Sequence, residues 1–168
     1  MLEAAGLEKS FGRLKVTNNV SISIEAGERR VVLGPNGAGK TTLFNILVGE
    51  IRPTAGRIML AGRDVTADTV EARARLGLAR SYQRNNLFDN LTVRENLALA
   101  VATSGSAASW LFRDTLADRE IGARVEEVAT RVALLDLLDE KVSTVSYGAR
   151  RQLEVGLALA PRPRVLLM

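Results

Sequence analysis

The sequence predicts an α/β fold, and three observations carry that prediction. An apolar run, Val31, Val32 and Leu33, leads into a glycine-rich octet and then a helical stretch over residues 42–48. Ahead of it, residues 16–25 alternate, with Val16, Val20, Ile22 and Ile24 set against Thr17, Ser21, Ser23 and Glu25. After residue 83 the pattern turns mostly helical, and the chain closes on a second apolar run, Val165 to Met168. A short apolar run before a glycine loop and a helix reads as a buried strand feeding a βα turn. The alternating stretch reads as a half-exposed antiparallel strand, with Asn18 and Asn19 as a turn or bulge.

The octet is Gly34-Pro35-Asn36-Gly37-Ala38-Gly39-Lys40-Thr41, which fits G-x-x-x-x-G-K-[ST] at every fixed position. Gly34, Gly37 and Gly39 allow a backbone turn tight enough for successive N–H groups to face phosphate oxygens. A helix beginning near Gly39 adds the positive end of its dipole. Lys40 offers a point charge to the β- and γ-phosphates, the Thr41 hydroxyl a ligand for Mg²⁺, and Thr42 a donor to the α-phosphate. The implied ligand is a nucleoside phosphate. No Asn-Lys-x-Asp element, of the kind that reads guanine, occurs in the chain.

Composition narrows the chemistry further. The 168 residues are one domain's worth, long enough for a real core. Hydrophobic residues make up 46% and charged residues 25%, the balance of an ordinary globular protein. With neither cysteine nor histidine, disulfides, thiol nucleophiles and histidine-based triads or metal sites are excluded for these residues. The net charge of +4 comes from scattered arginines, so no nucleic-acid partner is expected. The first residues lack a signal-peptide pattern, and no apolar run reaches the roughly 18–20 residues of a membrane span. A cytosolic protein, or one held at a membrane only by a partner, is expected.

The remaining elements follow in order. Residues 29–33 are expected as the buried strand, residues 53–56 as a turn and residues 57–60 as a short strand. Residues 69–76 read as a short helix and 78–82 as a strand. Thr92 and Glu95 form a capping box for a helix running to Val101. Residues 103–109 are small and polar, which predicts a loop. Ile121, Val125, Val128, Val132 and Leu135 recur at helical spacing and predict one helix over residues 118–138. A last helix is expected from Ser146 to Ala160, ended by Pro161 and Pro163, before the strand at 165–168. Three regions follow: a nucleotide-binding core with an antiparallel β subdomain (1–84), a helical subdomain (85–154) and a return to the core (155–168).

In this order the motifs resemble the ATP-binding-cassette family, the ATPase subunits of ABC transporters. The resemblance runs from Phe11, through the phosphate loop and Gln83 with the following Leu87-Phe88-Asp89-Asn90-Leu91-Thr92-Val93-Arg94-Glu95-Asn96-Leu97, to Val145-Ser146-Tyr147-Gly148-Ala149-Arg150-Arg151-Gln152. It implies a P-loop NTPase (RecA-like) core with an antiparallel β subdomain and a helical insert. It also implies ATP and Mg²⁺ as ligands. Phe11 would stack on adenine, and Gln83 would contact Mg²⁺ and sense the membrane partner. Ser146 and Gly148 would close on the γ-phosphate held by a second ATPase subunit, the same or a different chain. Lys40 and Gln83 are thus the catalytic candidates.

Tyr147 stands where the family's signature has its first glycine, and Ala149 and Arg150 depart from the usual glutamine region. Ser-Tyr-Gly followed by Arg-Arg-Gln-Leu-Glu is similar to the branched-chain amino acid importers and, to a lesser degree, to related urea or amide importers; the segment 77–83 and the insert around Trp110, Leu111, Phe112 and Arg113 resemble the former too. The resemblance therefore implies permease subunits and, through them, a solute-binding protein, with the chain peripheral on the inner face of the cell membrane. It also implies an Asp-Glu-Pro triplet after the strand at 165–168 and a later histidine, neither present in the sequence, so the fold is read as C-terminally truncated. Weak nucleotide binding, negligible hydrolysis and poor stability are expected of the 168 residues alone. Two alternatives stay open: a non-hydrolytic nucleotide-binding or regulatory module, and an ATPase of a lipid or export system.

Overall fold

The N-terminal alternation builds a hairpin. In the computed structural model, which describes residues 1–81, 87–102 and 118–168, β1 (Leu2–Phe11) pairs antiparallel with β2 (Leu14–Ile24). Leu2 and Ala4 point into the core; the register then slips near Gly6, so that Leu7 rather than an even-numbered residue is buried. A second irregularity falls at Asn19, whose φ is 51°, where the sequence places a turn or bulge. β3 (Ala55–Leu60) pairs with the other edge of β1, and β4 (Arg63–Asp64) with β3, giving the order β2-β1-β3-β4.

Residues 1–78 with Leu167 form one compact unit, and residues 79–166 with Met168 a second. The first unit holds the four-stranded sheet, α1 (Lys40–Val48) and α2 (Val70–Arg75). Leu43, Ile46, Leu47 and Val48 of α1 are buried, as are Leu2, Leu7, Ile58, Leu60 and Val65. Thr69 caps α2 by accepting from the Ala72 N–H at 3.3 Å.

Residues 29–33, expected as a buried strand, form none, and Val31 and Leu33 are 76% and 87% exposed. A strand needs a neighbour for its N–H and C=O groups. No backbone ladder reaches these residues among the described ones. The expected strand at 78–82 is shorter, β5 (Leu78–Arg80), and it pairs with β6 (Val165–Leu167) in a separate two-stranded sheet. Tyr82, the loop at 103–109 and the insert at 110–113 lie outside the described residues.

The second unit packs α3 (Val93–Ala102), α4 (Arg119–Arg131) and α5 (Tyr147–Leu159) around Val93, Leu97, Val125, Val128 and Leu153. The capping box forms as its spelling predicts: the Thr92 N–H donates to Glu95 Oε2 at 2.7 Å, and the Glu95 N–H to Thr92 Oγ1 at 3.1 Å. The single helix expected over 118–138 breaks. α4 stops at Arg131, Ala133 turns left-handed at φ 55°, and one 3₁₀ turn follows at Leu135–Leu137. The Leu134 N–H reaches back to the Ala129 carbonyl at 2.8 Å, and Leu134 and Leu138 sink into the core. Burying both side chains outweighs the cost of one left-handed alanine.

Candidate phosphate-binding site

Gly34 to Gly39 fold as a loop running straight into α1, whose first turn carries Lys40, Thr41 and Thr42. Gly37 and Gly39 sit at φ 81° and 79°, the left-handed region where a side chain is strained. Gly39 is the N-cap of α1 and provides no side-chain cap, so among the described residues no side chain accepts from the amide N–H groups of the first turn. A Cβ on Gly39 would lie 2.7 Å from the Val16 carbonyl oxygen. The loop thus rests on β2 where only glycine fits.

The Lys40 ammonium folds back over this loop, donating to the carbonyls of Gly34 at 2.5 Å and Pro35 at 2.7 Å. Those oxygens mark where its donors point: along the inside of the loop. Pro35, Asn36, Gly37, Ala38 and Thr41 are exposed, while Thr42 is half-buried. Uncapped amides, a helix N-terminus and an inward lysine make a donor set for phosphate oxygens. Among the described residues no group of three or more acidic, histidine or cysteine side chains could enclose a metal ion. The Thr41 hydroxyl, exposed at the start of α1, is an oxygen of the kind Mg²⁺ accepts as a ligand.

Phe11 ends β1 at a two-residue turn, Gly12-Arg13, and is 49% exposed. The Lys9 ammonium stands 5.2 Å from its ring centroid and also donates to the Arg52 carbonyl at 2.7 Å. The ring is half-open and backed by a cation, a contact the sequence reading does not include. Gln83 lies outside the described residues.

Ser146 and Gly148 belong to the second unit, at the start of α5. Ser146 caps that helix, its hydroxyl accepting from the Ala149 N–H at 3.2 Å. Tyr147 is 68% exposed, and its hydroxyl accepts from Arg151 Nε at 2.9 Å and Nη2 at 2.7 Å. Arg151 also pairs with Glu154 at 2.7 Å; the Glu154 carboxylate and then the tyrosine hydroxyl hold its pKa above the ordinary guanidinium value.

Two buried arginines also escape the sequence reading. Arg73 of α2 donates to the Ile46 and Leu47 carbonyls at the end of α1, and Arg124 of α4 to the Leu159 and Ala160 carbonyls at the end of α5. Gly49 and the prolines after Ala160 mark the two helix ends locally. Nothing near either end announces an arginine arriving from elsewhere in the chain.

The fold and the loop define a P-loop α/β nucleotide-binding protein, and comparison with known proteins gives the family. The family model described as ABC transporter matches residues 17–168. The chain is 36% identical over its full length to the lipopolysaccharide export system ATP-binding protein LptB of Acidithiobacillus ferridurans, covering 66% of that protein. It is 34% identical to the branched-chain amino acid transport ATP-binding protein LivG of Salmonella typhimurium, covering all of this chain and 68% of that one. A crystal structure of an ATP-binding cassette of an ABC transporter in its ADP conformation superposes with a TM-score of 0.85 at 27% identity, over 99% of this chain and 66% of that one. The chain belongs to the ABC transporter family, as an ATP-binding domain with the P-loop α/β fold and antiparallel β subdomain of such cassettes. It spans about two thirds of the length of these relatives.

Proposed function

We propose that this chain binds ATP with Mg²⁺ and supplies the phosphate-holding half of an ATPase site that drives import of a small polar solute, a branched-chain amino acid in the first instance. The observation that carries the proposal is the phosphate loop itself, with its uncapped α1 amides and the Lys40 ammonium turned along its inner face. Gly34, Pro35, Asn36, Gly37, Ala38 and Gly39 wrap the phosphates with backbone N–H groups. Lys40 neutralises charge on the β- and γ-phosphates, which builds up as the γ-phosphoryl group leaves. Thr41 would hold Mg²⁺, which would supply positive charge against the negative charge of the phosphates, and Thr42 binds the α-phosphate. Phe11 stacks on the base, and Gln83 completes the metal contact and links the site to a permease.

Ser146 and Gly148 serve a second ATPase subunit, so the working unit is a dimer at the inner face of the membrane. In this reading Tyr147 does not enter the phosphate contact, because its hydroxyl is engaged by Arg151. Similarity to LivG and the Ser-Tyr-Gly spelling support the amino acid assignment. The comparable identity to LptB favours a second reading, an ATPase serving lipopolysaccharide export.

Calorimetric titration of the full-length protein with Mg-ATP tests the site. Lys40→Ala is expected to weaken binding about ten-fold or more, since each 1.4 kcal/mol of lost charge interaction is a factor of ten. Unchanged affinity overturns the site. Uptake of labelled leucine by proteoliposomes holding the protein with its co-purifying permease, against transfer of lipopolysaccharide, separates the two transport readings.

A further inference from the structure

We infer that Arg73, seated against Gly49, is a positioning residue for the phosphate site, holding the carboxyl end of α1 so that its amino end grips a polyphosphate. The inference rests on reading residues 34–42 as the phosphate site. Arg73 is 1% exposed. Its Nη1 donates to the Ile46 and Leu47 carbonyls, both at 2.7 Å, and its Nη2 to the Thr66 carbonyl at 3.1 Å. Ile46 and Leu47 lie in the last turn of α1, where carbonyls run out of partners further along the helix; the Ile46 carbonyl also takes the Gly49 N–H at 3.2 Å. One guanidinium therefore satisfies two of them and ties the helix to the loop after β4.

Gly49 makes the seat. It closes α1 in the left-handed conformation at φ 95°, its N–H donating to the Asn45 and Ile46 carbonyls. A Cβ there would stand 3.0 Å from Arg73 Nε, 3.2 Å from Cζ and 3.1 Å from the Asp68 carbonyl oxygen. The absent side chain is what lets the guanidinium lie flat against the helix end. Space and backbone angle thus require glycine independently.

A buried cation without a counter-ion is costly unless dipoles replace water around it. No carboxylate lies within ion-pairing distance of Arg73 among the described residues, and its Nε has no acceptor. Carbonyl dipoles at the negative end of α1 do most of the compensating, and Asp68 contributes a longer-range field. Burial pushes the guanidinium below its ordinary pKa, with Asp68 opposing. Arg124 makes a similar cap on α5, but Glu127 neutralises it at 2.7 Å. Arg73 retains its charge unpaired, one helix length (about 14 Å for nine residues) from the amides that face phosphate. Cancelling the negative pole leaves the positive pole of α1 less opposed, and clamping that end fixes where the first-turn N–H groups point.

The test uses the full-length protein, with Mg-ATP and inorganic tripolyphosphate as probes and thermal melts to set a temperature at which every variant is folded. Arg73→Met is expected to weaken both probes by about five-fold, with the ATP loss matched by the tripolyphosphate loss. Arg73→Lys, which keeps the charge, should recover part of that loss. Gly49→Ala should weaken both probes as well, and the double variant should be no weaker than Arg73→Met alone, because both act through one contact. Should Arg73→Met not fold, Gly49→Ala and Arg73→Lys carry the same comparison. Folded variants with melting points lowered but tripolyphosphate affinity unchanged would make Arg73 a purely structural cap and overturn the inference. A wild-type protein that binds neither probe would instead overturn the site itself.

Discussion

The carbonyl oxygen of Val16 on β2 occupies the space where Gly39 would carry a side chain, 2.7 Å from an ideal Cβ. Gly37, two residues earlier, has the same left-handed backbone but nothing within 4 Å of its Cβ position. The pair separates backbone strain from collision. Alanine at either position costs about 1–2 kcal/mol for the left-handed conformation. At Gly39 it also drives into a sheet carbonyl that cannot swing aside. Gly39→Ala is expected to destabilise the protein by a further 1–3 kcal/mol or so beyond Gly37→Ala, in urea unfolding curves. Equal losses would show that the loop does not rest on β2.

Gly156 of α5 faces Leu97 and Val132; a methyl added there would lie 3.1 Å from Leu97 Cδ2 and 3.4 Å from Val132 Cγ2. Both buried neighbours would have to give by a few tenths of an ångström, against which alanine gains about 0.8–1.0 kcal/mol of helix propensity over glycine. Gly156→Ala should therefore change stability by less than about 1 kcal/mol in either direction. Gly156→Leu should lower it by about 1–3 kcal/mol, because the added methylenes have no room. Thermal unfolding of the two variants side by side is the measurement.

Glu127 collects three arginines, Arg124 at 2.7 Å and Arg131 and Arg162 at 3.3 Å. The hydrogen bond from Arg124 is the largest of the influences holding its carboxyl below the ordinary value of 4.5. A carboxylate with a depressed folded pKa stabilises the native state above its unfolded pKa and loses that contribution as pH falls through the folded value. Wild type should therefore exceed Glu127→Gln in urea midpoint near neutrality. The two should converge on the acid side of about pH 4.5. A constant difference from pH 7 down to pH 3 would mean that the charge contributes nothing.

How far the sequence can be read depends on whether an element's cause is local. The phosphate loop is legible because glycine conformations, a helix start and a lysine five residues from its carbonyl partner lie within one octet. The Thr92–Glu95 capping box and the Ser146 cap are legible for the same reason. β1 is hidden because the irregularity near Gly6 shifts its buried residues from Leu2 and Ala4 to Leu7, which erases the period of two. The run at 29–33 reads as a strand because it is apolar, but apolarity does not supply a partner. α4 reads too long because Ala133, an excellent helix former, is the residue that turns left-handed.

Residue types at fixed short spacings were enough for the glycine loop and its helix start, the order of most elements and the family, since each of these is written within a few neighbouring positions. Packing decided what such spacings cannot carry. It placed Lys9 over Phe11 and the Val16 carbonyl beneath Gly39. It also brought Arg73 across 26 residues of chain to the Leu47 carbonyl at the end of the phosphate-loop helix. A hydrogen bond of that reach exists only once two helices have packed, so its geometry is a product of the core and not of any local pattern.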